Sequence, residues 1–212
     1  MNRVHIYRRR LFGWYRVNCR EFPWRGTSDP YAVLVGEVLL QRTRGENAVP
    51  VYARFLDRFP DIASLSTADV GEIAAVIRPL GLVKRAEMLS LLGKALAEAG
   101  GVPRRPDVLI AFPGVGRYAA YSVQVYARRR NLPVVDWVVA RVLQRYFGLP
   151  DGSRPNADEP LWELAAQLAN LGRARDLWFA TFDLAAAVCR PRPLCEKCPL
   201  RTTCFHALSM HQ

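Results

Sequence analysis

Apolar positions recur at helical spacing almost everywhere along this chain, and no segment shows a convincing two-residue alternation. Leu11 to Val17 forms a short amphipathic segment carrying Trp14 and Tyr15, which Phe22-Pro23-Trp24-Arg25 breaks. Asp29-Pro30 then opens a helix through Val33, Leu34, Val38, Leu39 and Leu40, with Asp29 as N-cap and Pro30 in the first turn. Pro50 to Phe59 places Val51, Tyr52, Phe55 and Phe59 on one helical face. Ser66 or Thr67 caps a further helix around Val70 to Ile77, Arg85 to Ala99 forms another that closes at Gly100-Gly101, and Asp107 to Ala111 is a short one. Beyond Pro113-Gly114-Val115-Gly116 a helix runs from about Arg117 to Arg129. Pro133 to Val135 is extended, and Asp136 begins a helix through Val139, Val142, Leu143 and Tyr146. After a polar loop, Gly148 to Pro155, two more helices lie near Glu159–Leu171 and Arg175–Ala187. The fold class is all-α, without an internal repeat.

Composition narrows the partner. The 212 residues suit one large domain or two small ones, and half of them are hydrophobic, enough for a substantial core. A formal net charge of +11 favours a polyanion, nucleic acid or an anionic surface. No apolar run reaches the ~18 residues of a membrane span, and the charged N-terminus lacks the apolar stretch of a signal peptide. The expected location is cytoplasmic, associated with the nucleoid, and not the membrane. The basic residues are nearly all arginine; lysine occurs only at 84, 94 and 197.

Four elements carry candidate chemistry. In Phe112-Pro113-Gly114-Val115-Gly116-Arg117-Tyr118, two glycines around one apolar residue make a tight hairpin between helices. Its outward N–H groups and the next helix N-terminus can cradle a phosphate, with Arg117 adding charge; the same glycines also suit a plain close-packed turn. Twenty residues beyond Gly116, Asp136 follows an apolar stretch and begins an apolar helix. An N-cap role accounts for it by itself, but a carboxylate held ionised at a helix end also suits stabilisation of an adjacent cation. Glu37 lies within Ala32-Val33-Leu34-Val35-Gly36-Glu37-Val38-Leu39-Leu40, where desolvation would raise its pKa and let it act as a general acid. Alternatively it belongs to a solvent stripe with Gln41 and Arg42. An oxocarbenium-like transition state served by one carboxylate and one acid is the logic of glycoside hydrolysis, and removing a base from deoxyribose follows it. The target base must first leave the stack.

The fourth element is Cys189, Cys195, Cys198 and Cys204, spaced C-x5-C-x2-C-x5-C, with Cys19 standing alone. Four thiolates this close can hold a [4Fe–4S] cluster or a structural zinc ion. Zinc sites usually pair two short knuckles, and only one short pair exists here, which favours iron–sulfur. Arg190, Arg192, Lys197 and Arg201 give this loop a charge suited to DNA.

In this order the four elements resemble the helix-hairpin-helix DNA glycosylases, the superfamily of endonuclease III, the adenine glycosylases and the thymine mismatch glycosylases. The resemblance covers roughly residues 11 to 205. It implies a six-helix barrel domain at 25–130 holding the hairpin, and a second domain from 1–24 and 131–212 holding the cluster loop, 189–204. It implies that Asp136 is catalytic and that Gly114, Val115, Gly116 and Arg117 contact DNA. The first cysteine gap is five residues here and usually six in the superfamily. Members that also nick the strand are similar but carry lysine at the position of Tyr118, whose amine forms a Schiff base; a tyrosine cannot. Tyr118, Leu39-Leu40-Gln41-Arg42-Thr43 and Val134-Val135-Asp136 look like the thymine mismatch group. That group implies removal of thymine or uracil opposite guanine in double-stranded DNA by a monomer, with Glu37 and Tyr118 in the pocket. Gln41 or Arg42, together with Leu82, are the candidates to fill the space the base vacates and contact the orphan guanine, with core packing as the alternative for Leu82. Two other readings stand beside it: an adenine glycosylase acting opposite guanine or 8-oxoguanine, and a non-catalytic DNA-binding module.

Overall fold

The computed structural model describes residues 2–81, 84–150 and 154–210; Leu82 lies outside the described residues. Among those residues every regular element is helical. None is long and apolar enough to cross a membrane. The chain divides into two compact units, one formed by Glu21–Arg128 and one by Met1–Arg20 with Arg129–Gln212.

The Glu21–Arg128 unit contains α2 (Pro23–Gly26), α3 (Pro30–Leu40), α4 (Gly45–Arg58), α5 (Ile62–Ser66), α6 (Val70–Ile77), α7 (Arg85–Glu98), α8 (Pro106–Leu109) and α9 (Arg117–Tyr126). The central rod is α3, buried from Tyr31 through Leu39 and packed against α2, α4 and α9. Asp29 caps it as expected, accepting from the N–H groups of Tyr31 and Ala32. Two expectations fail here. Helix α4 begins at Gly45, so Pro50 sits inside it. The cap of α6 is Asp69, not Ser66 or Thr67. Those two residues instead end the short α5, which Asp61 and Ser64 start with a reciprocal capping box and which packs on α7.

The second unit contains α1 (Arg3–Asn18), α10 (Trp137–Phe147), α11 (Glu159–Asn170), α12 (Ala174–Ala187) and α13 (Phe205–Ser209). Its core helix is α12, with Trp178 and Leu184 fully enclosed and α1, α10 and α11 around it. Each fully enclosed aliphatic side chain of this kind contributes roughly 1.5–3 kcal/mol. Helix α1 starts at Arg3, well before Leu11, because Val4, Tyr7, Arg8 and Leu11 all face inward. The odd member is Arg8, whose guanidinium donates to the carbonyls of Leu168, Leu171 and Gly172 at the end of α11. A buried arginine fills an apolar slot, which breaks the periodicity visible in the sequence. Pro23–Gly26, expected as a break, is a single helical turn that buries Trp24.

Candidate active site and DNA interface

Within the Glu21–Arg128 unit, the candidate residues gather at the end of α3 and the start of α9. Val115 is buried and anchors the turn between α8 and α9, closed by its N–H donating to the Phe112 carbonyl at 3.1 Å. The two glycines beside it differ. Gly114 has φ +73°, and a Cβ there would fall 1.9 Å from the sulfur of Met88, so turn and packing both require glycine. Gly116 has φ −89° and ψ 175°, which any residue adopts, and a Cβ there would meet nothing within 4 Å. Gly116 is the N-cap of α9 and supplies no side-chain acceptor. The first turn of α9 thus begins without a side-chain cap from its own N-cap residue. Neither conformation nor internal packing demands glycine at 116.

The C-terminus of α3 is tied to this turn. The Gln41 amide donates to the Gly114 carbonyl at 3.2 Å. Arg85, at the start of α7, donates to the carbonyl of Val38 at 3.1 Å and also to that of Gln41. Arg42 follows with φ 57°, a left-handed conformation that costs a non-glycine residue about 1 kcal/mol or more. Gln41 and Arg42 are both exposed on this sharp turn. Glu37, one helical turn behind Gln41, is only 5% exposed. The solvent-stripe alternative for Glu37 is thereby excluded, and its desolvated setting is the one the sequence called for. Tyr118 is half-buried in the first turn of α9.

In the other unit, Asp136 caps α10. Its Oδ1 accepts from the N–H groups of Val138 at 2.9 Å and Val139 at 2.7 Å. Both of these bonds fall on Oδ1. Part of Asp136 remains open to solvent. Even so, burial pushes its carboxyl up to about 6, against the lowering effect of the two N–H groups and Arg141. An ordinary N-cap carboxylate moves the other way, because the helix end stabilises its charge.

The four cysteines line one small hollow, partly open to solvent, together with Arg145, Val188 and Pro193. Among the described residues, no three His, Cys, Asp or Glu side chains converge on a single ion. Four thiolates at about 2.3 Å from one zinc would lie under ~4 Å apart, whereas a cluster of several irons keeps its ligands further apart. Four thiols around one hollow are the donor set that a [4Fe–4S] cluster takes. Burial pushes the Cys198 thiol up to about 11 and raises that of Cys204, so thiolates here need a cation to offset their desolvation.

Sequence reasoning missed the residues that hold this loop. Arg141 donates to the Cys189 carbonyl at 3.0 Å. Arg145 donates to the carbonyls of Arg190 at 2.6 Å and Pro191 at 3.0 Å, with the Cys189 sulfur at 3.7 Å. Their i, i+4 spacing on α10 was the only available signal. Arg145 lies nine residues along α10 from Asp136, roughly 13 Å along the axis, and Arg141 lies five residues along, roughly 7.5 Å. Of the four basic loop residues, Arg201 pairs with Glu196 and Arg190 also donates to the Ala186 carbonyl. Arg192 and Lys197 are exposed.

A family model described as HhH-GPD superfamily base excision DNA repair protein matches residues 35–167. A protein named thymine-DNA glycosylase from Aeropyrum pernix is 37% identical, over 96% of this chain and 95% of its own length. A thymine/uracil-DNA glycosylase from Pyrobaculum aerophilum is 38% identical, over 92% of this chain and 88% of its own length. The solved structure of a thermostable thymine-DNA glycosylase superposes with a TM-score of 0.90 and 32% identity, covering 98% of this chain and 97% of that one.

Proposed function

The chain belongs to the HhH-GPD superfamily of base excision DNA repair proteins, and from that premise we propose that it is a glycosylase that releases thymine or uracil mispaired with guanine without cutting the strand. The observation that carries the reading is Asp136: a carboxylate fixed through one oxygen by two backbone N–H groups and raised by burial to a pKa of about 6. The relatives named for thymine and uracil support the choice of base.

In the reaction the C1′–N bond breaks and the base leaves with the electron pair. Positive charge develops on the sugar, and ionised Asp136 stabilises it from a preorganised position. At neutral pH a carboxyl with a pKa near 6 is mostly ionised yet basic enough to take a proton from the attacking water. The first turn of α9, with Gly114, Val115, Gly116 and Arg117, grips a DNA phosphate. Gln41 and Arg42, braced by Arg85 and the Gly114 carbonyl, enter the gap left by the extruded base. Glu37 supplies a polar contact to the base from an otherwise aliphatic helix, and Tyr118 packs beside the extruded nucleotide. Position 118 offers a phenol, and the three lysines of the chain lie at 84, 94 and 197, outside α9. Schiff-base chemistry therefore has no amine in this turn.

Cys189, Cys195, Cys198 and Cys204 would hold a [4Fe–4S] cluster, which braces the basic loop on Arg141 and Arg145. Purified protein should be brown, with iron and sulfide in equal amounts. Colourless protein carrying stoichiometric zinc would contradict this assignment.

The function is tested on duplexes containing G:T, G:U or adenine opposite 8-oxoguanine. The expected result is base release from G:T and G:U, with strand breaks only after alkali. Preferential release of adenine would overturn the substrate assignment, breaks without alkali would overturn the monofunctional chemistry, and DNA binding with no release would leave a binding module.

A further inference from the structure

Tryptophan is a residue that folded chains enclose, and this chain does so three times: Trp24, Trp162 and Trp178 are 7%, 2% and 0% exposed. Trp137 is 67% exposed. It is the first residue of α10, directly after Asp136. Trp137 has no ring contact and no side-chain hydrogen bond among the described residues. The folded chain gives this side chain nothing to do, although an indole is among the largest apolar surfaces a protein can display.

Position supplies the missing partner. Adjacent Cα atoms are about 3.8 Å apart, so a nucleotide whose sugar meets the carboxylate of Asp136 brings its neighbours within reach of the indole. The surroundings fit a polyanion. Arg141 and Arg145 follow Trp137 at four-residue intervals on the same helix face, and their guanidinium groups extend to the loop that carries exposed Arg192. An aromatic platform flanked by arginines is the arrangement that single-stranded or splayed nucleotides bind, since every base offers a π-face. A lipid surface would want several apolar side chains together; here one indole is followed by cations.

We propose that Trp137 stacks on a nucleobase next to the reacting nucleotide and holds that stretch of strand in place for Asp136. The inference rests on Asp136 being the reactive carboxylate. It assigns Trp137 to substrate binding and leaves the bond-breaking step to others.

The probe is a G-containing duplex with a tetrahydrofuran abasic-site analogue opposite the guanine, titrated into the intact protein while tryptophan emission is followed. Trp137 is the most exposed of the buried-and-exposed set above, so its emission is the red-shifted part, and stacking quenches it. Wild type should show that quenching. Trp137→Ala should lose it and bind roughly 5- to 100-fold more weakly, the range of one lost base–aromatic stack. Trp137→Phe, which keeps a ring but no N–H, should bind within about threefold of wild type. Single-turnover base release at saturating DNA should fall by less than the affinity does in Trp137→Ala, placing most of the effect in binding. Wild-type affinity in Trp137→Ala, or a Trp137→Phe variant as weak as Trp137→Ala, would overturn the stacking role. Quenching and a Trp137-dependent affinity in a protein that releases no base would uphold the stacking role and remove the glycosylase reading instead.

Discussion

Two helices in this molecule begin in opposite ways. At the N-terminus of α9, Gly116 offers no side chain, no neighbour within 4 Å of where one would sit, and no acceptor for the first-turn N–H groups. At the N-terminus of α10, Asp136 takes two of the equivalent N–H groups onto a single oxygen. The same backbone feature, a partial positive charge and a ring of donors, thus serves two ends. Without a side-chain cap, it is the end that the proposed function assigns to a DNA phosphate. Filled by the chain's own carboxylate, it fixes that carboxylate in one orientation, while the surroundings desolvate it until its pKa reaches about 6. On the proposed function, one end recognises the polymer and the other does chemistry on it, and the difference is the residue at the cap.

Three changes probe that contrast. The largest effect belongs to Asp136→Asn, which keeps a capping oxygen but loses the charge; single-turnover base release should fall by roughly 10²–10³-fold. The same variant should melt higher than wild type at neutral pH. Because the folded-state pKa of Asp136 is raised, ionising it costs folding energy that sets in as pH rises from the unfolded value of 3.8 through about 6. The gain in melting temperature should therefore be full above pH 6 and vanish near pH 4. Next comes Gly116→Asp, which builds the α10 solution onto α9. The backbone there already has N-cap geometry, so stability should hold or rise by a few tenths of a kcal/mol. DNA affinity should drop by about tenfold or more, as a carboxylate occupies the phosphate position. Gly114→Ala is its control, since it should destabilise the fold by about 2 kcal/mol through its positive φ and Met88. The smallest effect is that of acid on wild type: release from bound DNA should be flat above pH 7 and fall about tenfold per unit well below 6, as Asp136 protonates.

The sequence made the start of α10 plain, because Asp136 is followed by an apolar face at Val139, Val142 and Leu143 that leaves only one place for the cap. It also made α3 plain, where nearly every residue is apolar. The first half of α1 was hidden because Arg8 occupies a buried position and finds its partners in three carbonyls of a helix more than 150 residues away. The short α5 was hidden because a five-residue helix has too few turns to show a period. At the hairpin, Gly114 and Gly116 are the same letter, and only their backbone angles and neighbours show that one serves the turn and the other leaves room for a ligand. Arg85, Arg141 and Arg145 could not be read in advance, since each grips carbonyls of distant segments and backbone carbonyls leave no mark on a sequence.

The central claim is that the two helix ends divide binding from chemistry. Its direct test is to measure DNA affinity and the single-turnover release rate on one G:T duplex for Asp136→Asn and Gly116→Asp side by side. The account predicts a crossed result: Asp136→Asn binds like wild type and releases base at least a hundredfold more slowly, while Gly116→Asp binds weakly and releases base near the wild-type rate once saturated. Full turnover by Asp136→Asn, or unchanged affinity in Gly116→Asp, would contradict it.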